Sequence, residues 1–118
     1  MKDAMKEKRA KMTRRANRTR AKIEGTSLRP RLSVFRSVRH ISAQLINDET
    51  GKTIVSASDM QLKLKGKPVE IARQIGEELG KRAIAAGVNA VVFDRGSYQY
   101  AGAVKALAEG ARASGLQF

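Results

Sequence analysis

The chain has 118 residues, with 24 Lys or Arg against 11 acids, for a formal net charge of +13. That length allows one domain with a small core. The lack of cysteine excludes disulfides and thiolate metal sites and suits a reducing cytosol, and no apolar run approaches the roughly 18 residues of a membrane span.

The charge is unevenly placed. Residues 1–39 hold fourteen Lys/Arg and three acids, a net of +11, while the remaining 79 residues add only +2. A basic arm on a near-neutral body is the layout of a polyanion binder, because Lys and Arg that neutralise phosphates release condensed counterions. Residues 4–23 are rich in Ala, Lys and Arg and read as a helix. Its apolar stripe of Met5, Met12, Ala16 and Ile23 spans only about 40° at helical spacing. So thin a stripe cannot fix a helix to a core, and the arm is expected to be wholly or partly disordered until it meets its partner. No Trp, Phe or Leu stands in residues 1–22, which argues against a membrane-surface helix. The segment also lacks the apolar region of a secretory signal. Gly25 is a helix stop, and Arg29-Pro30-Arg31 marks the entry to the body. These breaks divide the chain into a basic arm, 1–28, and a folded domain, 29–118.

From Arg31 the apolar period becomes two. Arg31–Arg36, His40–Asn47 and Lys52–Ser58 read as three strands joined at Ser37–Arg39 and Asp48–Gly51. One parity gives Leu32, Val34, Ile41, Ala43, Leu45, Thr53, Val55 and Ala57, a core face. The other gives Ser33, Phe35, Ser42, Gln44, Ile46, Ile54, Ser56 and Ser58, a mostly polar face turned from the core. A lysine-studded connection (Lys63, Lys65, Lys67) leads to Pro68, well suited to open a helix. Val69, Ala72, Ile75, Gly76, Leu79, Ala83 and Ala86 then hold helical spacing up to the stop at Gly87. The run Ala90–Phe93 reads as a strand buried on both faces. After the loop 94–100, a last helix over 102–114 turns Val104, Leu107, Ala108 and Ala111 inward. Gly115 ends it, leaving Leu116 and Phe118 to dock as an apolar tail.

The order β-β-β-α-β-α predicts an α/β domain with a four-stranded mixed sheet. The first three strands form an antiparallel meander, and a right-handed crossover places the fourth parallel to the first. The strand order is then 3-2-1-4, with both helices on one face and the serine-rich face open.

The strongest candidate contacts are the phosphate-directed cations of the arm: Lys8, Arg9, Lys11, Arg14, Arg15, Arg18, Arg20 and Lys22. Most are guanidinium groups, whose planar forks fit phosphate oxygens in pairs. On the body, Arg31, Ser33, Phe35, His40 and Gln44 lie on or near the open face, and Arg29 and Arg36 are further candidate RNA contacts. On that face hydroxyls and amides reach sugar 2′-OH groups, and a ring stacks on an unpaired base. An alternative reading of that face is plain solvation. In the loop, Asp94 and Tyr100 suit a packed turn and a core cap, while Arg95 and Tyr98 are candidate RNA contacts.

Catalysis finds little support. His40 is the only histidine, and no serine or cysteine is marked as a nucleophile by its context. A two-metal nuclease needs gathered carboxylates. Asp48 and Glu49 fall in a turn, where Asp is ordinary, and Asp94 at the end of a strand is one acid alone. No cofactor, metal or small-molecule substrate is expected.

Arg29-Pro30-Arg31-Leu32-Ser33-Val34-Phe35-Arg36-Ser37 and His40-Ile41-Ser42-Ala43-Gln44 closely resemble the bacterial large-subunit ribosomal protein family numbered eighteen. The likeness continues through Gly51-Lys52-Thr53, Ser56-Ala57-Ser58, Val91-Val92-Phe93-Asp94-Arg95-Gly96, Tyr98, Tyr100 and Gly115-Leu116 to Phe118, and also includes Lys22-Ile23-Glu24-Gly25-Thr26. The resemblance implies a ribonuclease-H-like fold of the translational-machinery type. It implies a non-enzymatic protein, monomeric when free and cytoplasmic, that attaches 5S rRNA to 23S rRNA in the central protuberance beside two other ribosomal proteins. Many members carry His-Gly-Arg after the second tyrosine. Here Ala101-Gly102-Ala103 stands there, which removes two potential RNA contacts but keeps the glycine turn.

Overall fold

The computed structural model describes residues 10–15, 25–26 and 28–118. The sheet is built from β1 (Arg31–Arg36), β2 (Ile41–Asn47), β3 (Lys52–Ser58) and β4 (Val92–Asp94), in the order β3-β2-β1-β4. β1 pairs antiparallel with β2 and parallel with β4, and β2 pairs antiparallel with β3. The helices are α1 (Asp59–Leu62), α2 (Pro68–Ala85) and α3 (Gly102–Ala113). The anticipated α/β architecture, with strand order 3-2-1-4, is therefore present.

The core forms where Leu32, Leu45, Ile75, Leu79 and Leu107 are completely enclosed between sheet and helices. Each such side chain stabilises the fold by about 1.5–3 kcal/mol relative to exposure. α2 lies against β2 and β3, and α3 packs along α2. Small residues set that helix seam. A Cβ at Gly76 would collide with the Leu107 carbonyl oxygen, and one at Gly110 with that of Arg73. Ser114 locks the same seam by donating its hydroxyl to the Glu77 carbonyl at 2.8 Å. Gly115, in the left-handed region at φ +112°, turns the chain out of α3. Leu116 is then buried, and Gln117 bridges Ala90 in parallel. The ring of Phe118 stacks on Phe93 at 5.7 Å between centroids, under the guanidinium of Arg112.

Four expectations need correction. Thr53 does not face the core: β3 bulges at Ile54, so Val55 opposes Leu45 while Thr53 opposes Ile46. The extra residue moves Thr53 to the polar face, where its hydroxyl donates to Gln44 Oε1 at 3.1 Å. Val69 and Ala86 hold helical spacing but lie at the two ends of α2, and both are exposed. The run ending in Val92-Phe93 is not buried on both faces. β4 is an edge strand, and both side chains are half-buried. The connection after β3 also begins with a helical turn, α1, capped by the Ser58 hydroxyl, which accepts from Gln61 N at 3.1 Å.

The packing of the body reaches back to Gly25, which is buried. Gly25 N donates to Asp48 Oδ2 at 2.7 Å, and its carbonyl accepts from Asp48 N. Residues 10–15 are helical and exposed. The rest of the expected arm helix lies outside the described residues, as does Ser27.

Candidate nucleic-acid interface

The open face is laid out in rows by the strand register. Ser33, Gln44 and Ser56 lie side by side across β1, β2 and β3, and Phe35, Ser42 and Ser58 form the next row. Gln44 and Ser56 are exposed, Ser33, Ser42 and Ser58 are half-buried, and Phe35 is 60% exposed. A phenyl ring standing in solvent amid hydroxyls and amides does not contribute much to a core. The Phe35 ring is open to solvent on the polar face, a position compatible with either plain solvation or contact with a ligand.

At the Arg31 end the same face is closed. Arg31 Nε and Nη2 form a fork on Asp48 at 3.1 and 3.2 Å, and Nη1 reaches Asp94 at 2.8 Å. The Arg31 side chain is only 11% exposed, and that of Asp94 only 4%. Burial works against the guanidinium charge, but the hydrogen bonds and charges of Asp48 and Asp94 outweigh it. Arg31 is therefore held above its ordinary pKa. Asp48, read from the sequence as a turn residue, is thus a tertiary anchor; the turn itself uses Asn47, whose side-chain oxygen accepts from Glu49 N. Asp48 and Asp94 converge on one guanidinium, which fills the position a cation would take. Among the described residues no group of three or more His, Cys, Asp or Glu is placed to hold a metal, and no helix there is long and apolar enough to cross a membrane.

At the other end, β1 and β2 are joined by the tight turn Ser37–His40. Ser37 N donates to the His40 carbonyl at 2.8 Å, and the Ser37 hydroxyl accepts from His40 N. Arg36, Val38, Arg39 and His40 are exposed. His40 Nδ1 lies 2.9 Å from Asp59 Oδ2, and Asp59 also accepts from Ile41 N. Burial favours the neutral acid at Asp59, yet the bond to His40 and those from the backbone prevail and hold it below the usual carboxylate range.

The loop after β4 supports this end along the edge of β1. The Tyr98 hydroxyl donates to the Arg36 carbonyl at 2.8 Å and accepts from Arg36 N at 3.0 Å. Arg95 Nη1 donates to the Tyr98 carbonyl, and Asp94 Oδ1 accepts from Gly96 N. Asp94 fixes the loop as expected, and Tyr100 packs edge-on against Phe93. Arg95 is exposed, Tyr98 is half-buried, and Arg29 is exposed at the entry to β1. In the arm, Lys11, Arg14 and Arg15 are exposed. Lys8, Arg9, Arg18, Arg20 and Lys22 lie outside the described residues.

Residues 6–118 match the family described as ribosomal L18 of archaea, bacteria, mitochondria and chloroplast. The chain belongs to the ribosomal L18 family. It is 58% identical over 105 residues to the large ribosomal subunit protein uL18 of Thermus thermophilus, covering 89% of this chain and 93% of that one. It is 55% identical over 115 residues to the Bacillus cereus protein of the same name, with 95% and 96% covered. Identity to the Thermomicrobium roseum protein is 52% over 111 residues, covering 89% and 90%. Members of this family are structural ribosomal proteins and not enzymes, so the paired acids around Arg31 belong to the architecture. Asp48 and Asp59 were not legible from the sequence as site residues. For Asp59, the one signal was a serine three residues before a glutamine, Ser58 and Gln61, which marks a helix start directly behind the β1–β2 turn.

Proposed function

We propose that this ribosomal L18 protein binds 5S rRNA and fastens it to 23S rRNA in the central protuberance of the large ribosomal subunit, beside the other proteins of the 5S complex. The observation that carries the reading is the open sheet face: a solvent-standing Phe35 set among serines and Gln44, on a body joined to a strongly cationic arm. The two regions do different work. The arm, residues 1–28, supplies phosphate neutralisation through Lys8, Arg9, Lys11, Arg14, Arg15, Arg18, Arg20 and Lys22, which any RNA satisfies. The domain, residues 29–118, supplies selectivity. Ser33 and Gln44 address riboses, Phe35 stacks on an unpaired base, and Arg29, Arg36, His40 and Arg95 hold the backbone. Arg31 and Tyr98 serve by shaping that surface. The protein acts as a cytoplasmic monomer before assembly and needs no cofactor.

The test is competition. At physiological salt, the protein should prefer a 5S rRNA transcript over a tRNA, which has a similar charge density. Equal affinity for both would remove the sheet as a recognition surface and leave a general RNA chaperone.

A further inference from the structure

The β1–β2 turn has a second side. Arg36 shares its parity with Leu32 and Val34 and opposes buried Ile41, so it leaves the sheet on the helix side. There a cleft of about 220 Å³ opens between the turn and the start of α2. Arg36, Arg39, His40 and Asp59 are the charged or titratable groups lining it. The wall formed by α2 and the connection before it contributes Gly66, Pro68 and Ile71, none of which titrates. Asp59 is buried and already bound to both His40 and Ile41 N. Three cationic or potentially cationic groups therefore line this recess with one acid, which is spent on the ring of His40; behind the lining, the Glu70 carboxylate lies beside Gly66.

The geometry fixes how the imidazole is used. Asp59 is held in its ionised form, and an ionised carboxylate only accepts, so Nδ1 must carry the hydrogen. Nε2 remains for a ligand, on a side chain that is 47% exposed. In the neutral ring Nε2 is a lone-pair acceptor and repels a phosphate oxygen. Once protonated it becomes a charge-assisted donor.

We infer that this cleft is a phosphodiester clamp, in which His40, posed by Asp59 and flanked by Arg36 and Arg39, takes one RNA backbone phosphate and binds a proton from solvent as it does so. The inference rests on the RNA-binding reading above and adds a contact on the face opposite Phe35. Histidine is the side chain that exchanges its charge within about pH 5–8. Linkage makes the coupling reciprocal: the proton strengthens the phosphate contact, and the phosphate strengthens proton binding by the same factor. Asp59 is a positioning residue and does not touch the RNA.

The experiment uses the full chain and a 5S rRNA transcript. Affinity should rise about fivefold or more between about pH 8 and about pH 6. In His40→Gln, which keeps a polar side chain but cannot titrate, this rise should vanish while the melting curve shows the domain still cooperatively folded. Because the chain has one histidine, a ¹³C-edited spectrum reports its ring alone, and the titration midpoint should move upward when RNA saturates the protein. A midpoint unmoved by RNA, or the same pH response in His40→Gln, overturns the clamp. Asp59→Asn should weaken the pH response by releasing the ring from its pose, and the ring spectrum shows whether the domain is still folded; an undiminished response would remove Asp59 as the positioning residue. Inorganic phosphate alone at matched ionic strength should leave the midpoint in place; a full shift would overturn the assignment to RNA. If tRNA moves the midpoint as far as 5S rRNA and binds as tightly, the clamp stands and the 5S reading fails.

Discussion

Arg31 and Arg36 open and close the same six-residue strand, yet they have opposite fates. Arg31 is enclosed, and its guanidinium is shared between Asp48 and Asp94. Arg36 is exposed, and among the described residues its side chain pairs with no acid. In a chain with 24 Lys/Arg, a count of basic residues cannot separate cations that bind RNA from cations that bind the protein itself. What separates them is where the carboxylates are. The sealed end collects two acids from distant parts of the chain. Among the described residues that line the open end, the one acid is Asp59, which is occupied by His40 and the backbone and pairs with neither Arg36 nor Arg39.

The largest test of this contrast is to break the sealed end. Arg31→Met keeps much of the side-chain volume but strands two carboxylates, one of them 4% exposed. Removing one partner of a buried ion pair costs about 3–5 kcal/mol, a large part of the about 5–15 kcal/mol that holds a small domain folded. Arg36→Ala, by contrast, should stay within about 0.5 kcal/mol of wild type, as surface changes usually do. Urea unfolding of the two variants side by side gives the difference directly. A loss below about 1 kcal/mol for Arg31→Met would mean that the network is not an anchor.

Much of this was legible in the sequence, and the failures share a cause. The three-strand meander, the crossover and the order 3-2-1-4 follow from alternation, turn lengths and handedness, all of which are local or nearly so. The face assigned to Thr53 failed because parity counting assumes an unbroken ladder, and the bulge at Ile54 breaks it. Val69 and Ala86 failed because periodicity reports which side of a helix is apolar, not where the sheet beneath it ends. The ion pairs failed outright. Asp48 lies 17 residues from Arg31 and Asp94 lies 63 away, and a contact of that span leaves no periodic mark. Phe35 falls on the polar face by parity, where the sequence leaves base stacking and plain solvation equally open; the structure adds that its ring is 60% exposed.

The open end is sharpened by Phe35→Ala. With the ring 60% exposed, its loss should change unfolding free energy little, while binding of 5S rRNA weakens by about 1–3 kcal/mol if the ring stacks on a base. Calorimetric melting and RNA titration on the same preparation separate the two. Equal losses in both would make Phe35 a packing residue and shift recognition onto the hydroxyl rows of Ser33, Ser42 and Ser56.

The smallest expected effect concerns acid. Asp59 is held below the ordinary carboxylate range in the folded protein, against its own burial, by His40 and by backbone donors including Ile41 N. A carboxyl whose folded pKa is depressed takes up protons less readily folded than unfolded. Its stabilising contribution is therefore fully present above the unfolded Asp value near about 3.9, and it is lost as pH falls through the lower folded value. At neutral pH the contribution is complete and flat. Melting temperatures of the wild type should thus decline more steeply than those of Asp59→Asn on going from about pH 5 to about pH 2, the range in which such a group titrates. Asp59→Asn should be the less stable protein at pH 7, because the amide keeps the shape but loses the charge that His40 and the backbone donors favour. If the two melting curves run parallel through the acid range, Asp59 is not a charged support for His40, and the open end of β1 is held by the turn and by Tyr98.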